Sequence, residues 1–220
     1  MDTFSLFVAN FLPCKEYFVP EKNHACPGCG LALAVRQAYK ALEEDVEKAV
    51  WQVSQGGDGI SLLRVKKGKA DMTLCFDNEA GGNLSETIRK RMPSDAVAEG
   101  VSYMATASPS YPFDLNEKLK KALDGEGRAY IHILCPCPVG WQFEPELTVK
   151  VGRYAVESRA FPLYEVQGGA YRLTVSTPKP RVVAEYLKAQ KRFENLSETD
   201  MEEATKAIEN DYRKLTDNVR

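Results

Sequence analysis

The chain has 220 residues, 44% of them hydrophobic, which is enough for one α/β domain with a buried core. Its formal net charge is −2 and its basic residues are spread along the sequence, so the composition shows no nucleic-acid-binding region. No stretch approaches the roughly 18 apolar residues of a membrane span, and the N-terminus lacks the features of a signal peptide. We therefore expect a soluble, cytoplasmic protein that binds neither nucleic acid nor membrane.

The cysteines indicate a metal site. There are six of them in a chain without a secretion signal, and this favours thiols that bind metal over disulfide crosslinks. Cys26 and Cys29 flank Pro-Gly directly before residues 31–42, whose composition and spacing predict a buried helix. The backbone N–H groups and dipole at a helix start favour thiolates. From the residues alone, the pair suits zinc, an iron–sulfur cluster or a redox dithiol.

Two predicted strands end in polar residues. Residues 72–76 lead into Asp77 and Asn78, and residues 129–134 lead into Cys135-Pro-Cys137. In open α/β sheets, ligand-binding groups lie at the carboxyl ends of the strands. The two segments are therefore predicted to share one crevice.

A second group of residues suits magnesium. Gly57-Asp58-Gly59 places a carboxylate between glycines, and Asn78 follows in Asp-Asn-Glu-Ala. Carboxylate and amide oxygens suit Mg²⁺, which often joins a protein to a diphosphate, and Gly59 would let that diphosphate approach the backbone. Taken alone, Gly-Asp-Gly is more simply interpreted as a tight turn. His24 and His132 are expected to be packed or hydrogen-bonded rather than to act as bases.

The C-terminal region has a different pattern. Residues 146–159 predict a helix, and the following segment predicts a hairpin that turns at Gly168-Gly169. Ser197 and Asp200 form a capping-box pattern at the start of a last helix. We expect this region to form an arm or outer layer.

Read in order, a series of motifs resembles the β subunit of pyruvate:ferredoxin oxidoreductase, in the 2-oxoacid:ferredoxin oxidoreductase family. The motifs are HACPGCGLALAVRQAYKAL, GDG, CFDNEA, YMATASPSYPFDL, HILCPCPVGW and AVESRAFPLYEV. The resemblance implies an α/β thiamine-diphosphate-binding fold with a mostly parallel sheet flanked by helices. Residues 1–145 would form the thiamine-diphosphate-binding and iron–sulfur domain, and residues 146–220 a C-terminal arm with helices that pack on partner subunits.

The resemblance also implies the site residues. Ligands of a [4Fe–4S] cluster are matched by Cys26, Cys29 and Cys137, and a fourth ligand is left open. Ligands of Mg²⁺ are matched by the side chains of Asp58 and Asn78 and the backbone carbonyl of Ala80. The thiamine diphosphate site is completed by Gly57, Gly59 and, less directly, Asn83. No catalytic residue is assigned to this chain, because the glutamate that activates the thiamine is expected on the α-type subunit.

The implied reaction is the coenzyme-A-dependent oxidative decarboxylation of a 2-oxoacid, with pyruvate as the first candidate. Its products would be an acyl-CoA and CO₂, and electrons would pass through the cluster to ferredoxin. The implied partners are α-, γ- and δ-type subunits, ferredoxin, the 2-oxoacid and coenzyme A. The alternatives are a degenerate structural or assembly subunit without thiamine, and a zinc-binding interaction module.

Three segments around the expected pocket are shorter than the resemblance requires. No cysteine lies between Cys29 and Asp58, where a third cluster ligand is expected. The sequence LLRVKKGKA stands where a helix is expected, and Ala80 is followed by Gly-Gly-Asn. Either the protein is a natural short variant with an altered site, or the 220 residues omit loops of the full-length chain. The position of all three around one pocket favours omitted loops.

Overall fold

The computed structural model describes residues 25–42, 50–53, 59–79 and 100–219. The described α-helices are α1 (Gly30–Leu42), α2 (Pro112–Asp124), α3 (Pro138–Trp141), α4 (Thr148–Glu157), α5 (Val183–Lys188) and α6 (Glu198–Asp217). The strands are β1 (Val50–Val53), β2 (Ile60–Lys67), β3 (Ala70–Asp77), β4 (Tyr103–Ala107), β5 (Gly127–Leu134), β6 (Tyr164–Gln167) and β7 (Ala170–Leu173). Short 3₁₀ turns occupy Pro145–Leu147 and Lys191–Phe193.

The described strands form one mixed sheet in the order β1-β2-β3-β5-β4-β6-β7. Its centre is parallel, because β5 pairs in parallel with both β3 and β4. The other pairings are antiparallel. The prediction of an α/β fold is confirmed, whereas the prediction of a mostly parallel sheet is wrong for these strands. Short hairpins, rather than crossover helices, connect β2 to β3 and β6 to β7.

Strand β2 occupies the place where the resemblance implies a helix. Leu63 and Val65 are completely buried, whereas Arg64 and Lys66 between and beside them are exposed. This alternation has the two-residue period of a strand. Gly68 then turns the chain at φ 56°, in a region that glycine enters without a steric penalty. The segment therefore forms a hairpin with β3.

Helices α1 and α2 cover one face of the sheet. The helix predicted over residues 31–42 is confirmed, and Ala34 and Ala38 are completely buried in a core that includes Leu74 of β3. Leu33 is only half-buried. From its composition the helix was expected to be buried all round. The structure buries it along one side only.

The three elements predicted after residue 145 are confirmed. They are helix α4, the β6–β7 hairpin turning at Gly168-Gly169, and helix α6. The capping box is complete: Ser197 Oγ accepts the Asp200 N–H at 3.1 Å, and Asp200 Oδ2 accepts the Ser197 N–H at 3.0 Å. Strand β6 pairs with β4, so this region adds strands to the central sheet. The division at residue 145 stays a prediction.

A second core packs the C-terminal helices around Leu134 and Trp141. This core and the one beneath α1 and α2 hold the two sides of the molecule together. None of the helices in the described ranges combines the length and the apolarity needed to cross a membrane.

Lys118 joins α2 to the sheet through a buried ammonium group. The residue is 1% exposed, and its Nζ donates to Thr106 O at 2.7 Å, Asp114 Oδ2 at 2.6 Å and Thr174 Oγ1 at 2.7 Å. All three ammonium hydrogens therefore have an acceptor. Burial lowers the pKa of Lys118 from 10.5 to about 8, against the opposing effect of the Asp114 carboxylate.

We expect the Lys118 contribution to the free energy of unfolding to rise with pH between about 8 and 10.5. In that range the unfolded chain still binds the Lys118 proton while the folded chain has begun to release it, so higher pH favours the folded state. Lys118→Met has no such proton, so its free energy of unfolding should lack this part of the rise. Denaturant unfolding at several pH values across the range measures the difference. Lys179→Met, at an exposed position, is the control. An equal slope in Lys118→Met and the wild type would contradict the prediction.

Candidate functional site

The polar segments that follow β3 and β5 begin side by side. The parallel register places Asp77 opposite Leu134 at the carboxyl ends of these strands. The Cys135 N–H then donates to Asp77 O at 2.8 Å, which continues the ladder by one step. As expected from the sequence, the segment with Asn78 and the segment with Cys137 start at one edge of the sheet.

The loop that precedes α1 is in backbone contact with the loop that follows β5. The Gly30 N–H donates to Pro136 O at 3.0 Å, and a Cβ at Gly30 would lie only 2.3 Å from that oxygen. Any larger residue at position 30 would therefore push the two loops apart. Gly28 has φ 67°, and a Cβ there would lie 2.3 Å from Pro145 O. The two glycines of the Cys-Pro-Gly-Cys-Gly sequence are thus required by the close approach of these backbones.

The cysteines near this contact differ in burial and in hydrogen bonding. Cys26 is exposed, and Cys29 and Cys137 are half-buried. Cys137 Sγ accepts the N–H of Gly140 at 3.3 Å. Cys135 is completely buried, its thiol donates to a backbone carbonyl at 3.4 Å, and burial raises its pKa. Of the two cysteines after β5, Cys137 is therefore the one suited to bind metal.

Cysteine sulfurs are suitable ligands for an iron–sulfur cluster, but the arrangement of these three does not form a cluster site. Cys26 and Cys29 border an open cleft that Leu33 and Arg36 of α1 also line. Thiolates beside open space suit a cluster. However, no three His, Cys, Asp or Glu side chains in the described ranges are grouped to hold a metal ion, and so Cys26, Cys29 and Cys137 are not brought together as a three-sulfur site. Their loops meet, whereas their sulfurs do not converge.

Gly59, the last residue of Gly-Asp-Gly, contacts the Asp-Asn-Glu segment. The Asn78 N–H donates to Gly59 O at 3.0 Å, and Gly59 has φ 69°. The Asn78 side chain is half-buried, and its backbone carbonyl accepts the indole N–H of Trp141 at 2.7 Å. Of the predicted Mg²⁺ ligands, Asn78 is the one that the described ranges contain, and its amide oxygen is of a kind that suits Mg²⁺. The remaining predicted residues of this site lie outside the described ranges: Gly57, Asp58, Ala80 and Asn83.

Asp77 supports the turn that carries Asn78. Its Oδ2 lies 3.1 Å from His132 Nε2, and its Oδ1 accepts the Glu79 N–H at 2.8 Å. His132 is buried and packs edge-on against Phe161. The prediction that His132 is packed and hydrogen-bonded is confirmed, and His24 lies outside the described ranges.

Sequence reasoning gave no role to two residues that contact this turn. They are Trp141 and Arg192, whose guanidinium donates to Glu79 O and lies 4.6 Å from the centroid of the Trp141 ring. Trp141 stands in a Cys-x-x-Gly-Trp sequence, which could have drawn attention to it. Arg192 has no local signal, because its contact lies 113 positions away along the chain.

Known proteins resemble the chain over most of its length, although no protein-family model matches it. Pyruvate synthase subunit PorB of Methanothermobacter marburgensis is 45% identical over 198 residues, which cover 76% of this chain and 69% of the relative. PorB of Methanocaldococcus jannaschii is 33% identical over 221 residues, which cover 86% of this chain and 74% of the relative. The chain belongs to the 2-oxoacid:ferredoxin oxidoreductase family. It is the β-type subunit of an oxidoreductase.

The family includes proteins with different 2-oxoacids in their names. Ketoisovalerate oxidoreductase subunit VorB of Pyrococcus furiosus is 34% identical over 219 residues, which cover 84% of this chain and 70% of the relative.

The M. jannaschii match extends over 221 positions but covers only 86% of the 220 residues here. The comparison therefore includes positions that this chain lacks.

Proposed function

We propose that this chain is the thiamine-diphosphate- and cluster-binding subunit of a 2-oxoacid:ferredoxin oxidoreductase, with pyruvate as the 2-oxoacid. The reaction is a coenzyme-A-dependent oxidative decarboxylation that yields acyl-CoA and CO₂ and delivers electrons to ferredoxin. The partners are α-, γ- and δ-type subunits of one complex. The observation that carries the proposal is the meeting of both cysteine loops and the Asn78 turn at one edge of the sheet, in a PorB relative.

In cofactor binding, this chain would hold the diphosphate of thiamine diphosphate through a cation. Bound thiamine diphosphate supplies the electron sink that allows a 2-oxoacid to lose CO₂. Asp58, Asn78 and the Ala80 carbonyl would bind Mg²⁺, with Gly57, Gly59 and Asn83 beside them. Because the protein carries a net charge of −2 and offers oxygen ligands here rather than basic side chains, a divalent cation is needed to neutralise the diphosphate.

The cysteines would bind a [4Fe–4S] cluster. Cys26, Cys29 and Cys137 are its expected ligands, and a fourth is not assigned. The Gly30–Pro136 contact brings the two loops together, and Cys137 Sγ accepts the Gly140 N–H at 3.3 Å. Buried Cys135 remains protonated, because its raised pKa opposes release of the proton.

A degenerate structural subunit is the second candidate. The observations that favour it are the β2–β3 hairpin, which replaces an expected helix, and the absence, within the described ranges, of three side chains grouped to hold a metal ion. Quantifying iron, sulfide, zinc and thiamine in anaerobically purified complex separates the candidates. Iron together with thiamine agrees with the oxidoreductase, and the absence of both agrees with a structural subunit. Zinc alone would indicate a zinc-binding interaction module instead.

We expect Cys26→Ala, Cys29→Ala and Cys137→Ala each to lower the iron content of the complex and to abolish ferredoxin reduction, because each removes a cluster ligand. Cys135→Ala is the matched control, two residues from Cys137 but with its thiol buried and bonded to the backbone. It should retain its iron. Iron analysis and reduction of ferredoxin measure the two effects. Loss of iron in Cys135→Ala with retention in Cys137→Ala would show that Cys135, and not Cys137, is the cluster ligand.

We expect thiamine diphosphate to bind only with Mg²⁺, and Asp58→Ala to remove binding. Asn78→Ala should weaken it less, since water can replace one neutral ligand in the octahedral shell of Mg²⁺. Asp71→Ala is the control, because Asp71 pairs with Arg64 at the other end of β3. Calorimetric titration of the complex with and without Mg²⁺ measures the affinities. Binding without Mg²⁺, or unchanged affinity in Asp58→Ala, would mean that Gly-Asp-Gly is only a turn here.

A further inference from the structure

We propose that Arg192 is a positioning residue for the thiamine diphosphate site. It acts from the C-terminal region by fixing the turn Asp77-Asn78-Glu79, and thereby the predicted Mg²⁺ ligand Asn78. This inference rests on the proposed function, in which Asn78 binds Mg²⁺. The role it assigns to Arg192 is to hold the turn, not to bind the cofactor or the metal.

The turn has a backbone conformation that needs support. Glu79 has φ 47°, a left-handed value that is uncommon for a residue with a Cβ. Such conformations persist where surrounding contacts hold them, and they concentrate at ligand sites. One contact comes from within the turn, where Asp77 Oδ1 accepts the Glu79 N–H at 2.8 Å. Other contacts come from residues much later in the chain.

Arg192 binds both the backbone and the side chain of Glu79. Its Nη1 donates to Glu79 O at 2.5 Å, and its Nη2 lies 3.8 Å from Glu79 Oε2. The two side chains are only 9% and 2% exposed. A buried ion pair is costly to break from one side, because the remaining charge stays out of water. Loss of Arg192 would therefore release the carbonyl and disturb the carboxylate of the same residue.

Other side chains orient Arg192. Its Nε donates to Gln190 Oε1 at 3.0 Å, and Gln190 is completely buried. The guanidinium lies 4.6 Å from the ring centroid of Trp141 and 4.5 Å from that of Phe193. Contacts of this kind with aromatic rings favour a cation and restrict its orientation. These contacts direct the guanidinium at Glu79.

Trp141 and Arg192 donate hydrogen bonds to successive carbonyls of the turn. Trp141 Nε1 donates to Asn78 O at 2.7 Å, and Arg192 donates to Glu79 O. The next carbonyl along the chain belongs to Ala80, the one predicted to bind Mg²⁺. Protein donors therefore hold the two carbonyls before the predicted ligand. Supporting contacts of this kind commonly affect metal affinity by about 10- to 100-fold.

The test compares Arg192→Ala and Arg192→Lys with Arg181→Ala in the assembled complex. Arg181 is a matched control, because it also combines an ion pair, with Glu157, and a ring contact, with Tyr154, but it does not bind the turn. We expect Arg192→Ala to weaken Mg²⁺-dependent thiamine diphosphate binding by about 10- to 100-fold in calorimetry. Arg192→Lys should show a smaller loss, since it keeps the charge but not the planar fork. Arg181→Ala should bind as the wild type does.

Two further readouts separate positioning from general destabilisation. At saturating thiamine diphosphate the turnover of Arg192→Lys should return close to the wild-type value, because only cofactor binding is impaired. Hydrogen exchange without cofactor should be faster in the peptide that contains residues 77–79 of Arg192→Ala, and unchanged there in Arg181→Ala.

The outcomes also distinguish this proposal from the proposed function. A wild-type complex that binds no thiamine diphosphate overturns the proposed function, and with it the role of Arg192 toward the cofactor. Normal binding by the wild type with unchanged affinity in both Arg192 variants overturns the positioning role alone. If Arg192→Ala fails to fold, Arg192→Lys decides, and wild-type affinity in that variant together with wild-type exchange at residues 77–79 counts against the proposal.

Discussion

The parallel pairing of β3 with β5 determines the arrangement of the whole candidate site. Because the two strands run in the same direction and in register, Asp77 and Leu134 end them at the same level. The segments that leave these strands must then start next to each other, and the bond from the Cys135 N–H to Asp77 O fixes their separation. Helix α1 is aligned on the same edge through the Gly30 contact with Pro136. A shift of one residue in this register would turn the side chains of one strand to the opposite face of the sheet.

The same edge carries polar groups that are costly to bury. Asp77, Glu79 and His132 are each no more than 5% exposed. Buried polar groups stabilise a fold only when they are paired, and an unpaired one costs free energy. His132 and the Glu79 N–H are hydrogen-bond partners of Asp77, and the Arg192 guanidinium donates to the Glu79 carbonyl. A purely structural sheet edge could be filled with apolar side chains, so this concentration of buried charge agrees with a site selected for binding.

The sequence predicted those elements whose cause is local. The α1 helix, the turn at Gly168-Gly169 and the capping box of Ser197 were all predictable, since each depends on neighbouring residues. The burial of Cys135, in contrast to Cys137, also follows from position, because the first residue after a central strand is still within the core. Arg192 was not predictable, because its partners come from two distant segments. The expectation of a mostly parallel sheet came from family resemblance, and the chain departs from it locally.

That departure is a consequence of chain length. Only Gly68 and Lys69 separate β2 from β3, whereas a parallel connection needs a crossover of about a dozen residues or more. The hairpin that forms instead covers the edge of β3, which would otherwise expose unpaired backbone groups. Its register places Ile60 opposite Asp77, so Gly59 still reaches the Asn78 N–H. The segment that replaces the expected helix therefore keeps Gly59 beside Asn78, and its altered form is compatible with the proposed Mg²⁺ site.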